Sequence, residues 1–144
     1  MHASYYVSKM KNVLYQSPNI ELRQSVVHGY GVFAKENFSS GSLLEECSFI
    51  EIPPSVKSDY VFLYPRGGTP NVENIKPIYA LVFGYATLYN HGDFANATWI
   101  TDVETRTFVF YAQTDIKKDE EILIYYGGDT DYWNFFPGVK KFNL

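Results

Sequence analysis

The apolar residues of this chain arrive in short bursts, and each burst is stopped by turn-forming residues. Ile20–Val27 alternates weakly between apolar and polar positions and is broken by His28-Gly29-Tyr30-Gly31. Val32–Lys35 is a second short run. The turn Ser39-Ser40-Gly41-Ser42 separates it from Leu43–Cys47 and Phe49–Ile52, which Pro53-Pro54 ends. Tyr60–Tyr64 is stopped by Pro65-Arg66-Gly67-Gly68, and Ala97–Ile100 faces Thr107–Ala112 across Glu104-Thr105-Arg106. Glu121–Tyr125 is the last clear run. Short runs of this kind, rich in β-branched and aromatic residues, predict strands. The chain is expected to be mainly β.

One segment reads differently. Ile78, Leu81, Val82 and Tyr85 fall at i, i+3, i+4 and i+7, and Leu88 and Tyr89 extend the stripe. Asn74 can cap such a helix, and Pro77 suits its first turn, where a missing N–H is harmless. The spacing predicts one principal helix, with Gly84 inside it at about 1 kcal/mol relative to Ala. Residues 1–18 read as an N-terminal extension closed by Ser17-Pro18. Residues 19–144 read as a single domain with an aromatic C-terminal end.

Composition excludes several functions. Sixteen acidic residues against twelve basic ones give a formal charge of −4, so direct nucleic-acid binding, which favours a basic surplus, is not expected. The balance suits a basic partner, and it is also ordinary for a soluble protein. With Cys47 alone, neither an intrachain disulfide nor a cysteine-rich zinc cluster can form. In the apolar run Leu43–Ile52, Cys47 is expected to be a buried small hydrophobe, and three scattered histidines offer no metal site. No stretch approaches the ~20 apolar residues of a membrane span, and no apolar stretch follows Lys9 and Lys11 as in a signal peptide. The glycosylation triplets Asn37-Phe38-Ser39 and Asn96-Ala97-Thr98 are then coincidences. The protein is expected to be soluble and intracellular, in the cytoplasm or a host nucleus, and not secreted.

Thirteen Tyr, eleven Phe and two Trp are mostly what a β core needs. Packing explains less well why Tyr125, Tyr126, Tyr132, Trp133, Phe135 and Phe136 fall within twelve residues. Three further segments stand in a fixed order. Gly29-Tyr30-Gly31-Val32-Phe33-Ala34 leads to Gly41 and an acidic run. Tyr89-Asn90-His91 comes next. Asp119-Glu120-Glu121-Ile122-Leu123-Ile124-Tyr125-Tyr126-Gly127 closes the series. Gly-x-Gly alone is usually a tight turn, and here it lacks the spacing and βαβ setting of a dinucleotide fingerprint, so NAD is unexpected.

Taken together, these segments resemble the SET-domain protein lysine methyltransferases, from about Glu21 to Trp133. The resemblance extends to the minimal viral type, through Asp59-Tyr60, Ala80-Leu81-Val82-Phe83-Gly84 and Asp131-Tyr132-Trp133. There are departures. Gly92 replaces the usual Ser after Asn-His, Ala95-Asn96 stands where Pro-Asn is usual, Asp119 replaces a Gly, and Tyr125 takes an Asp position.

The resemblance implies several short twisted sheets around one helix, with a C-terminal segment threaded under a preceding loop. Such threading is rare, and it would bring Asn90-His91 beside Tyr126. It implies S-adenosylmethionine as cofactor, held by Gly29, Tyr30, Gly31, Val32, Asn90, His91 and Trp133, with adenine read by the Asn90 side chain and the backbone at His91. Tyr126 would be the catalytic tyrosine. Tyr60, Tyr126, Tyr132 and Ile124 would line the substrate-lysine channel, with Ile124 at a position linked to the number of methyl groups.

A free lysine has a pKa near 10.4, so only about one in 2,500 is neutral at pH 7. Burial beside a positive sulfonium favours the neutral amine that such chemistry needs. The implied partner is a protein with an accessible lysine, a histone tail or another basic segment. The minimal viral relatives are dimeric, so homodimerisation through Phe135-Phe136 and Phe142 is a further expectation. The alternative is a SET-fold module that binds a lysine tail without turnover, favoured by Gly92 and Ala95. An aromatic-rich β module for carbohydrate or protein contacts is a third reading.

Overall fold

A computed structural model describes residues 10–56, 58, 60–66 and 76–126. Asp59, Asn74, Tyr132, Trp133, Phe135, Phe136 and Phe142 lie outside the described residues, and with them part of the expected channel, cofactor contacts and dimer surface.

The strands are β1 (Ile20–Gln24), β2 (Tyr30–Ala34), β3 (Leu43–Cys47), β4 (Phe49–Ile52), β5 (Phe62–Tyr64), β6 (Ile78–Val82), β7 (Asn90–His91), β8 (Ala97–Asp102), β9 (Thr107–Ala112) and β10 (Glu121–Ile124). They form three small sheets, ordered β1-β2-β10-β7, β3-β9-β8 and β4-β6-β5. Hairpins account for most of the pairing. β1 and β2 pair from Ile20↔Ala34 to Gln24↔Tyr30, and β8 and β9 from Ala97↔Ala112 to Asp102↔Thr107.

β9 is the central strand of its sheet, and Phe108, Phe110 and Ala112 point alternately into the core with no exposure. Phe62 of β5 meets the edges of Trp99, Phe108 and Phe110 at centroid distances of 5.5, 5.6 and 6.2 Å. Edge-to-face rings at such distances add to simple burial. Among the described residues, Phe62, Tyr64, Trp99, Phe108 and Phe110 thus form an aromatic core shared between two sheets, while Tyr15, Tyr30, Tyr60, Phe83 and Phe94 are exposed. Cys47 is buried there too, which drives its thiol pKa upward.

The expected helix is absent, and no α-helix occurs among the described residues. Ile78–Val82 is instead the central strand β6, paired with β4 from Phe49↔Val82 to Ile52↔Tyr79 and with β5 from Phe62↔Ala80 to Tyr64↔Ile78. A strand covered on both faces has a near-continuous apolar run, which mimics a helical stripe over a few residues. Gly84 then adopts φ +72°, ending any regular element, and only the single 3-10 turn Ala86–Leu88 follows before β7. The fold is mostly β, with small sheets and almost no helix.

Gly84 is required by more than its backbone angle. A Cβ there would lie 2.7 Å from Glu45 Oε2 and 3.0 Å from Cys47 Sγ. Gly29 is a matched comparison, with φ +50° and nothing within 4 Å of a would-be Cβ. Gly29→Ala should lose about 1 kcal/mol from left-handed strain alone. Gly84→Ala should lose roughly 1–2 kcal/mol more, because a buried carboxyl group must move as well. Urea unfolding of both variants checks this, and equal midpoints would contradict the steric account.

Candidate active site

Two segments remote in sequence meet at one point. β10 spends its first half on β2, pairing Glu121↔Phe33 and Ile122↔Val32 antiparallel. Its second half runs parallel to β7, pairing Leu123↔Asn90 and Ile124↔His91. Gly92 N–H extends that contact to Ile124 O at 3.0 Å. A parallel pair needs a crossover, and here the β8–β9 hairpin supplies it in place of a helix.

The loop after β7 is clamped by Asn96. Its Nδ2 donates to Glu121 O at 2.9 Å, and its Oδ1 accepts Leu123 N–H at 2.8 Å. The departures in this loop are accommodated. A Cβ at Gly92 would lie 2.8 Å from Leu123 Cδ1, so glycine suits the wall it faces. Asp119, where glycine is usual, has φ +72°, an angle that Asp tolerates better than most residues. Its backbone N–H bonds Ala34 O at 2.8 Å, and its carboxylate meets Arg23 at 3.0 Å.

The parallel contact brings Asn90-His91 beside Tyr126. The Tyr126 N–H donates to His91 Nδ1 at 2.9 Å. A backbone N–H can only donate, so Nδ1 carries the lone pair and Nε2 the proton. Nε2 in turn lies 3.1 Å from Asp93 Oδ1. The Tyr126 hydroxyl donates to Tyr89 O at 2.7 Å. Burial alternates along this segment, with Ile122, Ile124 and Tyr126 buried and Leu123 and Tyr125 only partly so. Tyr125 lies 5.0 Å from the His91 ring and lines a separate polar depression with Arg66, Asp93 and Gln113.

A cavity of about 450 Å³ opens beside β7. The turn before β2 contributes His28, Gly29 and Tyr30, and Tyr60 faces it from the segment before β5. Leu81, Thr87, Leu88 and Asn90 complete the wall. Of the expected site residues, Gly29, Tyr30 and Asn90 from the cofactor set and Tyr60 from the lysine channel share this wall. Gly31, Val32, His91, Tyr126 and Ile124 are not in this wall. Val32 and Ile124 are fully buried. A Cβ at Gly31 would collide with Glu121 Oε2 and lie 3.0 Å from Asn90 Nδ2, so this face is closed by protein.

His28, Leu81, Thr87 and Leu88 were missed: His28 reads as part of a turn, and leucine and threonine side chains carry little chemical signal in sequence. Glu121 was missed as a site residue as well. Its Oε1 accepts from Ser25 Oγ at 2.7 Å and its Oε2 from Asn90 Nδ2 at 2.8 Å. Asn90 Nδ2 also reaches His28 O at 3.1 Å and Tyr30 O at 3.3 Å. The amide donors of Asn90 are thus committed, although the residue is only 8% exposed. Its Oδ1 accepts no hydrogen bond among the described residues. A buried acceptor without a partner at a cavity wall is uncommon. It calls for a hydrogen-bond donor.

A model of the SET-domain family matches residues 29–127. The chain belongs to the SET-domain family. Among solved structures, this SET domain is similar to a Plasmodium falciparum protein assigned as a histone methyltransferase. That pair has 29% identity and a TM-score of 0.60, with 78% of this chain and 96% of the other covered. It is also similar to the Neurospora SET-domain protein DIM-5, a histone lysine methyltransferase, at 15% identity and a TM-score of 0.58. There 74% of this chain and 51% of the other are covered, and at that identity the likeness concerns the fold. A comparison with curated protein sequences finds no significant match.

SET-domain methyltransferases generally use S-adenosylmethionine, and the donor set here fits that group. Adenine offers an exocyclic amine and the methionine part an ammonium, either of which can satisfy Asn90 Oδ1. The loop clamp is testable without any ligand. Asn96→Ala removes both of its bonds to β10 and should lower stability by about 2 kcal/mol. Hydrogen exchange at the Leu123 amide should accelerate in step. Unchanged Leu123 protection would show that β7 and β10 stay paired without the clamp.

Proposed function

We propose that the chain is an S-adenosylmethionine-dependent protein lysine methyltransferase. The observation that carries this reading is the placement of Tyr126. Its hydroxyl is fixed on the carbonyl of Tyr89, one residue from Asn90, which lines the cavity. The cavity and the tyrosine hydroxyl are thus fixed by one short segment, and alignment of reactants is where such a reaction gains most.

Asn90 Oδ1 and the backbone of His28–Tyr30 would hold the cofactor, with Tyr30 as an exposed aromatic wall. Bound there, S-adenosylmethionine would supply a methyl group on a positively charged sulfur, open to displacement by a neutral amine. Tyr60, Ile124 and Tyr126 would form the described part of the lysine channel. Apolar walls there would exclude water, which disfavours the ammonium form of the lysine, and the tyrosine hydroxyls can orient the amine. The Tyr126 hydroxyl, anchored from both its backbone and its tip, would hold the reacting groups in line.

A basic protein segment, such as a histone tail, is the substrate class we infer. The net charge of −4 favours it, and both similar solved structures are described as histone methyltransferases. The likeness to the minimal viral type rests on the sequence motifs. The alternative of a binding module without turnover gains no support from the loop, since Gly92 and Ala95 leave the Asn96 clamp in place.

The test is transfer of tritiated methyl from S-adenosylmethionine to core histones. Tyr126→Phe keeps the buried ring and should slow transfer by at least about tenfold, or 1.4 kcal/mol in barrier. Tyr125→Phe, on the partly exposed side, should cost far less. A Tyr125→Phe loss with an active Tyr126→Phe would place the catalytic hydroxyl one residue earlier. Cofactor binding by the wild-type protein with no transfer to any protein of a cell extract would favour the binding module.

A further inference from the structure

Among the described residues, Glu45 is the one buried carboxyl group, and the site described so far does not use it. It is 1% exposed, and no Lys, Arg or His pairs with it among the described residues. Three donors surround it instead. The Tyr89 hydroxyl gives Oε1 a bond of 2.8 Å, and the Tyr85 N–H lies 3.1 Å from the same oxygen. Gln16 Nε2 reaches Oε2 at 3.0 Å. Gly84 leaves the space that the carboxyl group fills. A buried carboxyl group without a counter-ion is expensive unless its acceptor positions are filled. A core that goes to such lengths to seat one is holding something in place.

What it holds is Tyr89. That side chain has no exposure, its ring stacks on Phe110 at 5.0 Å and 23°, and its tip is tied to Glu45. Burial first, and then the nearby Glu45, drives the Tyr89 hydroxyl pKa well upward, so it remains a donor at any working pH. With ring and tip fixed, the main chain at Tyr89 has little freedom. Its carbonyl oxygen is the acceptor for the Tyr126 hydroxyl at 2.7 Å.

We propose that Glu45 is a positioning residue for Tyr126: its buried carboxyl group fixes Tyr89, and the Tyr89 carbonyl aims the Tyr126 hydroxyl. The inference rests on the reading of Tyr126 as the methyl-transfer tyrosine. Gln16 takes part from the N-terminal side. Its isolated bridge to Glu45, with Ser17 N–H on Leu44 O at 2.9 Å and Glu46 N–H on Tyr15 O at 2.8 Å, straps residues 15–17 along β3 and covers the carboxyl group.

A double-mutant cycle tests the relay, with tritium transfer to core histones as the assay. Tyr89→Phe removes one hydroxyl and leaves the carbonyl. It should lower kcat by about tenfold while the KM for S-adenosylmethionine stays within about twofold. In the Tyr126→Phe background the same change should alter kcat by less than about twofold, because the hydroxyl it acts through is gone. A full loss in that background, or no loss in the single variant, overturns the relay. If Tyr89→Phe does not fold, Glu45→Gln, which keeps size and one acceptor oxygen, enters the same cycle.

A second readout is independent of turnover. With tyrosine labelled by carbon-13 at its phenolic carbon, the Tyr126 resonance is assigned by its loss in Tyr126→Phe. It should shift in both Tyr89→Phe and Glu45→Gln. A resonance that stays in place in both overturns the proposal. A wild-type rate in Tyr126→Phe would instead defeat the catalytic reading, while the resonance still decides whether Glu45 reaches Tyr126.

Discussion

The parallel contact between Asn90–His91 and Leu123–Ile124 is the interaction on which the rest depends. It joins residues more than thirty positions apart, and two paired residues alone contribute little, since each hydrogen bond nets only about 1 kcal/mol. The contact holds because other bonds converge on it. Gly92 continues the ladder, Asn96 grips β10 with both ends of its amide, and Tyr126 is tied by its backbone to His91 and by its hydroxyl to Tyr89. Without this junction the cavity wall and the tyrosine hydroxyl would belong to unconnected parts of the chain.

Each of the three residues at the junction is held by its own acidic group. Glu45 takes the Tyr89 hydroxyl, Glu121 takes the Asn90 amide, and Asp93 takes the His91 ring. The first two acids are seated by glycines, because a Cβ on Gly84 or Gly31 would collide with them. Gly31 therefore serves the cavity beside β7 indirectly. It makes room for the Glu121 carboxylate that turns the Asn90 amide donors inward and leaves Oδ1 as the free acceptor.

The β hairpins were legible because their signal is local: alternation in β1 and β9, and glycine or polar turns between runs. The helix was misread for an equally local reason. Ile78–Val82 is apolar on both faces, and a spacing of three and four residues arises by coincidence in so short a run. Only the pairing of β6 with β4 and β5 decides between the two, and that is tertiary information. Tyr30, Asn90 and Tyr60 could be placed by resemblance to a known family. Glu45 could not, although a faint signal existed: two adjacent acids between Leu44 and Cys47, in a run that alternation would bury. The bond from Glu45 to Tyr89 spans forty-four positions, beyond any periodicity argument.

The central claim is that the cavity beside β7 is a methyl-donor site and that the junction sets Tyr126 against it. A crystal structure of the protein with S-adenosylhomocysteine, the product of the proposed reaction, tests this most directly. The account predicts the ligand in the cavity lined by His28–Tyr30 and Asn90, with an N–H donor on Asn90 Oδ1 and the sulfur turned toward Tyr126. A ligand seated instead in the depression of Arg66 and Tyr125, or with its sulfur turned away from Tyr126, would contradict it.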